Sequence, residues 1–579
     1  MKYSSLVAFM LLSTLASTQT NFTFTNSTIP EILRGNYDAS TYAQANVIED
    51  PAIIFEGLSE QVSGENLKSY IQILEGFGTR HTSSDTLSTV RGMGATRNWV
   101  LSMFEEFSQQ NENRLIPFFF QFDQIVCTDM DRHKNACAIL PGTNPNASGI
   151  VIVEAHMDSR CEGRCDVECP SPGADDNASG TALVIELARI MSQYSYDHTI
   201  LFMATTGEEQ GLIGANAFAT YCSMENIAIK SVFNNDIVGG ITCGKTSSPP
   251  SCPFAGAVDS TQVRMFSSGN SSKQFVRWIK LQYAEEMLPM ATVPMMLTIM
   301  APLDRTGRGG DHIPFHDRGH LAMRFTSANE NGDANVTDPA YCDHQHTSSD
   351  LLGVDTDGDG IQDSLFVDFN YLTRNTQING TSITSAATGP DTPLFNFDID
   401  GDSIRWSVQD PQNLNHYRIA RRVSGNDFDT IMTFQGATSG AFRRLATQFF
   451  QDEIISGAGV DADGIESFFG DERFFLTILT STDEVEAEPK GYELFQNVRN
   501  PFSKSTVIQY NLGDLTGIRE VAITITNTNG QIVDRVPATR QLGINSFNYY
   551  PTASMVGNYF YSLEINGEYL STKQMVIVR

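Results

Sequence analysis

Between Gly149 and Asp236 the apolar positions change their period repeatedly. The run GIVIVEAHMDS from Gly149 is apolar at almost every position as far as Ala155, which predicts a strand buried on both faces. SGTALVIELARIMSQY from Ser179 spaces its apolar residues as a helix does, and HTILFMATTGEEQ from His198 predicts a second buried strand. A short helix then leads to a third strand in KSVFNNDIVG from Lys230. Alternating strands and helices predict right-handed crossovers and a sheet covered on both faces. Residues from about 57 to 112, ahead of this unit, read as amphipathic helices.

After about residue 390 the helical period fades and short strands alternate with polar turns. IRWSV, HYRIARRV and RFFLTIL, between 395 and 488, resemble a fibronectin type III or immunoglobulin-like sandwich, with Trp406 and Tyr417 as core residues. The chain's last part carries NPF at Asn500–Phe502, VAITITNTNGQIV, GNYFYSLEING and a terminal KQMVIVR. In combination these resemble the C-terminal sorting domain of type IX secretion cargo from the Bacteroidetes, which implies the type IX secretion machinery as a partner. The predicted fold is therefore an α/β catalytic domain with a mixed, mostly parallel sheet between helices, followed by two all-β sandwich domains. The expected boundaries are 1–18 for a leader, 45–388 for the catalytic domain, 392–489 for the first sandwich and 494–579 for the sorting domain.

Composition narrows this picture. A chain of 579 residues exceeds what one hydrophobic core supports, and 41% hydrophobic with 18% charged residues is the make-up of packed domains. A net charge of -30 and a pI near 4.6 argue against nucleic acid or anionic membranes as partners. Lys2, the apolar run Leu6–Leu15 and the small residues Ala16, Ser17 and Thr18 have the layout of a secretory signal peptide. No later stretch approaches the roughly 18–20 apolar residues of a membrane span, so a secreted or cell-surface protein is expected. Nine cysteines in an exported chain point to disulfides. Cys127 with Cys137 and Cys243 with Cys252 have spacings suited to bridging, and Cys161, Cys165 and Cys169 form a third cluster in which disulfides are favoured over a zinc knuckle.

The chemistry lies at the ends of the predicted strands. His156 and Asp158 close the first, Asp176 opens the following helix, Glu208 and Glu209 close the second strand and Asp236 closes the third. Ligand sites of open α/β sheets sit beyond the carboxyl ends of the strands, where all of these fall. Imidazole with carboxylate and no thiolate suits zinc, and so many donors fit two ions sharing a carboxylate better than one tetrahedral ion. Singly, each residue has an ordinary explanation, such as a helix cap for Asp176 or first-turn acids for Glu208 and Glu209. The joint pattern is what these explanations do not cover. Separately, Asp355, Asp357, Asp359 and Asp363 in VDTDGDGIQD have the alternate spacing of a calcium loop, without the Glu of a full EF-hand.

In order along the chain, HMDS, PGADDNASG, TTGEEQGLIGA, NND and HTSSD resemble the motif series of the di-zinc aminopeptidase family related to glutamate carboxypeptidase II, over about residues 50 to 385. The resemblance implies two Zn2+, with Asp176 bridging them, His156 and Asp236 completing one site, and Glu209 and His346 the other. It makes Glu208 the general base, with Asp158 behind His156 and Asp350 placed to do the same for His346. GGDHIPFHDRGH sets Asp311 and His312 near the mouth of such a site. The implied activity is a secreted aminopeptidase acting on peptide substrates. A carboxypeptidase or acyl-amino-acid hydrolase with the same centre is the nearest alternative, favoured by Arg305 and Arg308 near Asp311. Further alternatives are a one-metal glutaminyl cyclase and a non-catalytic surface adhesin.

Overall fold

In the computed structural model the apolar strand runs converge on one nine-stranded sheet. The structure describes residues 19–244, 257–305, 308–330, 344–360, 362, 364–409, 414–423, 427–444, 452–476, 492–497, 500–527, 531–552 and 555–578. The expected leader, Cys252 and Asp363 lie outside these residues.

The strands are β1 (Thr20–Phe24), β2 (Ile116–Val126), β3 (Asp129–Leu140), β4 (Ile150–His156), β5 (Ile200–Thr205), β6 (Ile229–Asn235), β7 (Gln262–Phe266), β8 (Met296–Ile299) and β9 (Ala322–Ser327). Their spatial order is β1-β2-β3-β5-β4-β6-β9-β7-β8. The centre, β5-β4-β6-β9, is parallel. The β1, β2 and β3 flank and the β9–β7 pair are antiparallel. With β7 and β8 also parallel, the sheet has four parallel and four antiparallel pairs and is not mostly parallel. The difference comes from the long β2–β3 hairpin, whose strands fall outside the alternating stretch that the sequence pattern made visible.

Central strands carry side chains into two cores, as burial on both faces requires. Val151 and Val153 enter one core with α2 (Pro51–Gln61), α3 (Gly64–Gly76), α4 (Gly92–Gln110), α5 (Gly180–Met191), α7 (Asn270–Gln282) and α9 (Phe369–Thr388). Ile150 and Ile152 enter the other with α1 (Ile29–Leu33), α6 (Ile213–Met224) and α8 (Ile313–His316). Asp50 and Asp368 cap α2 and α9 by accepting from Ala52 N and Tyr371 N. No helix of the described residues is long and apolar enough to cross a membrane.

Of the expected pairs, Cys127 with Cys137 does not form. Cys127 bonds Cys165 and Cys161 bonds Cys169, while Cys137 and Cys222 are free and buried. Cys127 lies in the tight turn between β2 and β3, and Cys137 stands far along β3 opposite Phe118. An extended strand rising ~3.3 Å per residue keeps those two sulfurs roughly 30 Å apart. Cys243 is disulfide-bonded.

A short hairpin, β10 (Gly353–Val354) with β11 (Ser364–Leu365), precedes α9. After it come two antiparallel sheets: β12 (Phe395–Asp400), β13 (Ser403–Val408) and β16 (Ser439–Arg443), against β14 (His416–Arg422), β15 (Thr430–Gln435), β17 (Asp452–Val460) and β18 (Arg473–Leu476). Ile404, Trp406, Tyr417, Ile419 and Ile455 fill the space between them. This sandwich packs on the domain of the nine-stranded sheet: Phe468 meets Trp278 at 4.6 Å and Phe275 at 5.1 Å between ring centroids, and Glu472 pairs with Arg277 at 2.9 Å. The chain to Ile478 is one compact unit, and Leu479–Arg579 is another.

The second unit has β19 (Tyr492–Leu494), β20 (Thr506–Leu512) and β23 (Gly543–Tyr549) in one sheet. Its other sheet holds β21 (Val521–Asn527), β22 (Ile532–Pro537), β24 (Gly557–Ile565) and β25 (Glu568–Ile577). Phe502 of the NPF motif is buried, donating to Val576 O and accepting from Val578 N.

Candidate metal centre

Three adjacent parallel strands deliver the chemistry to one sheet edge. His156 is the last residue of β4, Glu208 and Glu209 follow β5, and Asp236 follows β6. Asp176 comes from the irregular turn Ala174–Ser179 that leads into α5, and its backbone there is not helical. His346 comes from the loop before β10, in the left-handed region at φ 57° that non-glycine residues seldom occupy.

These side chains form two groups that share Asp176. His156 Nε2 lies 3.3 Å from Asp176 Oδ1 and 3.5 Å from Asp236 Oδ1. His346 Nε2 lies 3.1 Å from Asp176 Oδ2 and 3.1 Å from Glu209 Oε2. Within each group the donor atoms all lie within 4.8 Å of one another. Asp176 therefore offers one oxygen to each group, as a carboxylate between two cations would.

The donors fit a divalent metal on grounds internal to the site. His156 Nε2 and Glu209 Oε1 are buried and have no hydrogen-bond partner among the described residues, a costly state that a cation relieves. Burial pushes the His156 imidazole down, yet Asp236, Asp158 and Asp176 overcome it and hold it well above its usual range. His346 is likewise pushed down by burial and brought up to about 10 by Glu209 and Asp176. So much negative charge around two imidazoles makes the site a trap for positive charge. Burial pushes the Glu208 carboxyl well above its usual range, helped by Asp236, Glu209 and Asp311.

A layer behind these groups fixes them. Asp158 accepts from Glu208 N and Glu209 N, each at 3.3 Å, and its carbonyl faces His156 Nδ1 at 3.1 Å. Buried Arg80 donates to Met157 O at 2.9 Å and Gly173 O at 2.8 Å, joining the segments that carry His156 and Asp176. Arg324 of β9 holds Asp236 Oδ1 at 3.2 Å and Asp304 at 3.0 Å. Asp175 Oδ1 takes Gly239 N and Gly240 N.

Several expected placements change. The Asp350 carboxylate takes Asp175 N at 3.2 Å and Asp176 N at 2.9 Å, so it shapes the Asp176 turn, while Arg160 Nη2 stands 2.6 Å from His346 Nδ1. Asp311 and His312 are fully buried, not at the mouth. Asp311 accepts from Thr205 Oγ1 at the end of β5, and His312 Nε2 is bonded to Leu303 O at 3.0 Å. Arg305 is matched by Glu330 and Asp304, whereas Arg308 faces the cavity. Of the calcium candidates, Asp355, Asp357 and Asp359 cluster on the exposed surface. Asp355 there already accepts Gly358 N and Gly360 N, each at 2.7 Å.

Arg160, Arg164, Arg80 and Arg324 escaped the sequence reading. For Arg324 the signal was present as one charge in the apolar run AMRFTS. Arg160 and Arg164 were hidden among cysteines in SRCEGRC, where only the thiols drew notice. The cavity over the centre, about 440 Å³, is lined by Asp176, Glu208, Glu209, Asp236 and His346 together with arginines.

With this geometry in place, the chain is similar to known proteins over the same span. The profile of peptidase family M28 matches residues 135–362. A probable zinc metalloprotease of Pyrenophora tritici-repentis is 30% identical over 351 residues, covering 58% of this chain and 77% of its own. A probable zinc metalloprotease of Leptosphaeria maculans is 29% identical over 431 residues, covering 71% of this chain and 94% of its own. Among solved structures, an aminopeptidase of Legionella pneumophila is 17% identical with a TM-score of 0.41, covering 58% of this chain and 74% of its own.

Proposed function

The chain belongs to peptidase family M28 and is a zinc metallopeptidase, and from that premise we propose that it is an exported aminopeptidase removing N-terminal residues from peptides. Two zinc ions would be held, one by His156, Asp236 and Asp176 and the other by Glu209, His346 and Asp176. Zinc bound there supplies Lewis acidity at the scissile carbonyl and acidifies a water.

The protein's own part is proton handling and orientation. Glu208 lines the cavity beside Asp176 and Asp236, takes the proton of the attacking water and returns it to the departing amine. Asp158, bonded to both backbone amides of the Glu208–Glu209 pair, fixes the base relative to His156. The observation that carries the reading is the position of Glu208 next to two donor groups sharing Asp176.

Aminoacyl and N-blocked peptides, assayed with and without chelator, test it. Free-amine substrates are cleaved, chelation abolishes cleavage and zinc restores it. Glu208→Gln lowers kcat by about 10²–10⁴ while bound zinc, measured by elemental analysis, stays at the wild-type level. Cleavage confined to N-blocked peptides with free C-termini would assign the chain to the carboxypeptidase alternative.

We read the Leu479–Arg579 unit as the type IX sorting domain and the Asp355 loop as a structural calcium loop. The buried NPF motif against the terminal strand and the three clustered carboxylates support these readings.

A further inference from the structure

The cavity's charges are layered by depth. Asp176, Glu209 and Asp236 side chains are 6%, 3% and 6% exposed, whereas Arg160 is 20% exposed, Arg308 is half-buried and Arg164 is exposed. All six line the same cavity. If two dications occupy the centre, the charges of Asp176, Glu208, Glu209 and Asp236 are balanced, and the guanidinium groups at the rim are surplus. Arg305 lines the cavity too, but Glu330 and Asp304 match it.

The rim arginines are also held in place. Arg160 and Arg164 belong to the loop after β4 that the Cys161–Cys169 bond closes on itself and the Cys127–Cys165 bond fastens to the β2–β3 turn. Arg164 donates through Nε to Glu209 O at 3.1 Å, and its carbonyl is bonded to His81 Nε2 at 2.9 Å, so its terminal nitrogens project from a fixed base. Arg308 approaches His346 from the facing loop, with Nη1 at 3.5 Å from Nδ1. Arg160 spans Glu209 Oε2 at 2.9 Å and His346 Nδ1 at 2.6 Å. An imidazole giving Nε2 to a metal has no lone pair left on Nδ1 for a guanidinium, so a loaded centre frees Arg160 Nη2 while Nε keeps its bond to Glu209.

We propose that Arg160, Arg164 and Arg308 form a carboxylate-binding rim above the centre, which makes the enzyme selective for peptides carrying a carboxylate one residue's length from the scissile bond. The inference rests on the exopeptidase reading for its substrate class. Guanidinium forks suit carboxylates, and a preorganised rim spends little conformational entropy on holding one. Either an acidic N-terminal side chain or the free C-terminus of a short peptide provides the group.

The test uses full-length, zinc-loaded protein with glutamyl and leucyl 4-nitroanilides, Leu-Gly and Leu-Gly amide, and glutarate binding by calorimetry. A glutamyl preference assigns the rim to the substrate side chain, and a preference for Leu-Gly over its amide assigns it to the terminal carboxylate. In Arg164→Met and Arg308→Met the kcat/KM preference for the carboxylate-bearing substrate falls about 10- to 100-fold, mainly through KM, and Arg164→Lys recovers part of it. Glutarate affinity falls by a similar factor. No carboxylate preference in the wild type, or glutarate binding that is equal in wild type and variants, as for a carboxylate held by zinc alone, overturns the rim. Arginine-dependent glutarate binding without cleavage of any of the four substrates supports the rim and removes the exopeptidase reading instead.

Discussion

At the scale of single residues, the centre depends on side chains that never touch a metal. Gly173 sits at φ 51°, and a Cβ there would come within 2.5 Å of Asp176 O and of Ser159 Cβ, and 2.9 Å from Arg80 Nη2. Gly173→Ala must therefore displace the turn that presents Asp176. Zinc affinity falls about 10- to 100-fold, the usual effect of disturbing what orients a ligand, and calorimetric titration reads it. Wild-type affinity in that variant would show that the turn does not set the site. A residue far from the centre governs acid stability. His198 is buried with Nε2 2.7 Å from Lys230 Nζ and Nδ1 3.2 Å from Gly149 O. Burial and then the Lys230 ammonium push its pKa down to about 3. A depressed histidine is neutral when folded and charged when unfolded below pH ~6.5, so its contribution is whole above that pH and is lost as pH falls toward 3. By pH 4 the loss reaches about 3 kcal/mol, and His198→Gln, which keeps an acceptor for Lys230, flattens the thermal-midpoint profile between pH 6.5 and 4. An unchanged slope in that variant would mean that other groups carry the acid sensitivity.

At the scale of elements, what was legible in the sequence followed from periodicity and what was not followed from contacts made at a distance. β4, β5 and β6 announce themselves as apolar runs, and the motifs ending them place His156, Glu208, Glu209 and Asp236 at one edge before any coordinates. The β2–β3 hairpin interrupts no helix and carries no such motif, so its antiparallel flank and the stranding of Cys127 far from Cys137 were invisible. The role of Asp350 was misread because spacing within HTSSD says nothing about the Asp176 turn packed against it. For the same reason the arginines of SRCEGRC gained meaning only when the loop after β4 was seen folded over the cavity. That loop yields a prediction of its own. Replacing Cys127 and Cys165 with serine releases its tip from the hairpin turn and removes a cross-link over a sequence separation of 38 residues, an effect of about 2–4 kcal/mol. The thermal midpoint falls and KM for carboxylate-bearing substrates rises, while zinc content, set by strand ends and the Asp176 turn, stays constant. Parallel loss of zinc would place the loop in the metal site itself.

At the scale of the molecule, the two β regions differ in how they relate to catalysis. The sandwich from β12 to β18 is part of the same compact unit as the peptidase sheet, because Phe468 enters the α7 side of the core beside Trp278 and Phe275. Arg277 and Arg422 meet on buried Glu472, and Arg418 of β14 reaches Glu285 at 2.6 Å. Cutting the chain after α9 therefore uncovers aromatic surface and leaves the buried Arg277 without its acid, a change that costs several kcal/mol and exposes a patch prone to association. Leu479–Arg579 instead has a core of its own, built on Ile508, Tyr510, Ile523, Tyr561 and Met575. The two truncations have opposite outcomes. A chain ending at Thr388 is recovered aggregated or at low yield. One ending at Pro489 folds, binds zinc and keeps its kcat/KM on aminoacyl substrates, yet stays inside a type IX-competent host, as fractionation and surface assay of activity will read. Export of the Pro489 chain to the surface would refute the sorting role, and a soluble, active chain ending at Thr388 would show that the sandwich is an appendage and not a structural part of the peptidase.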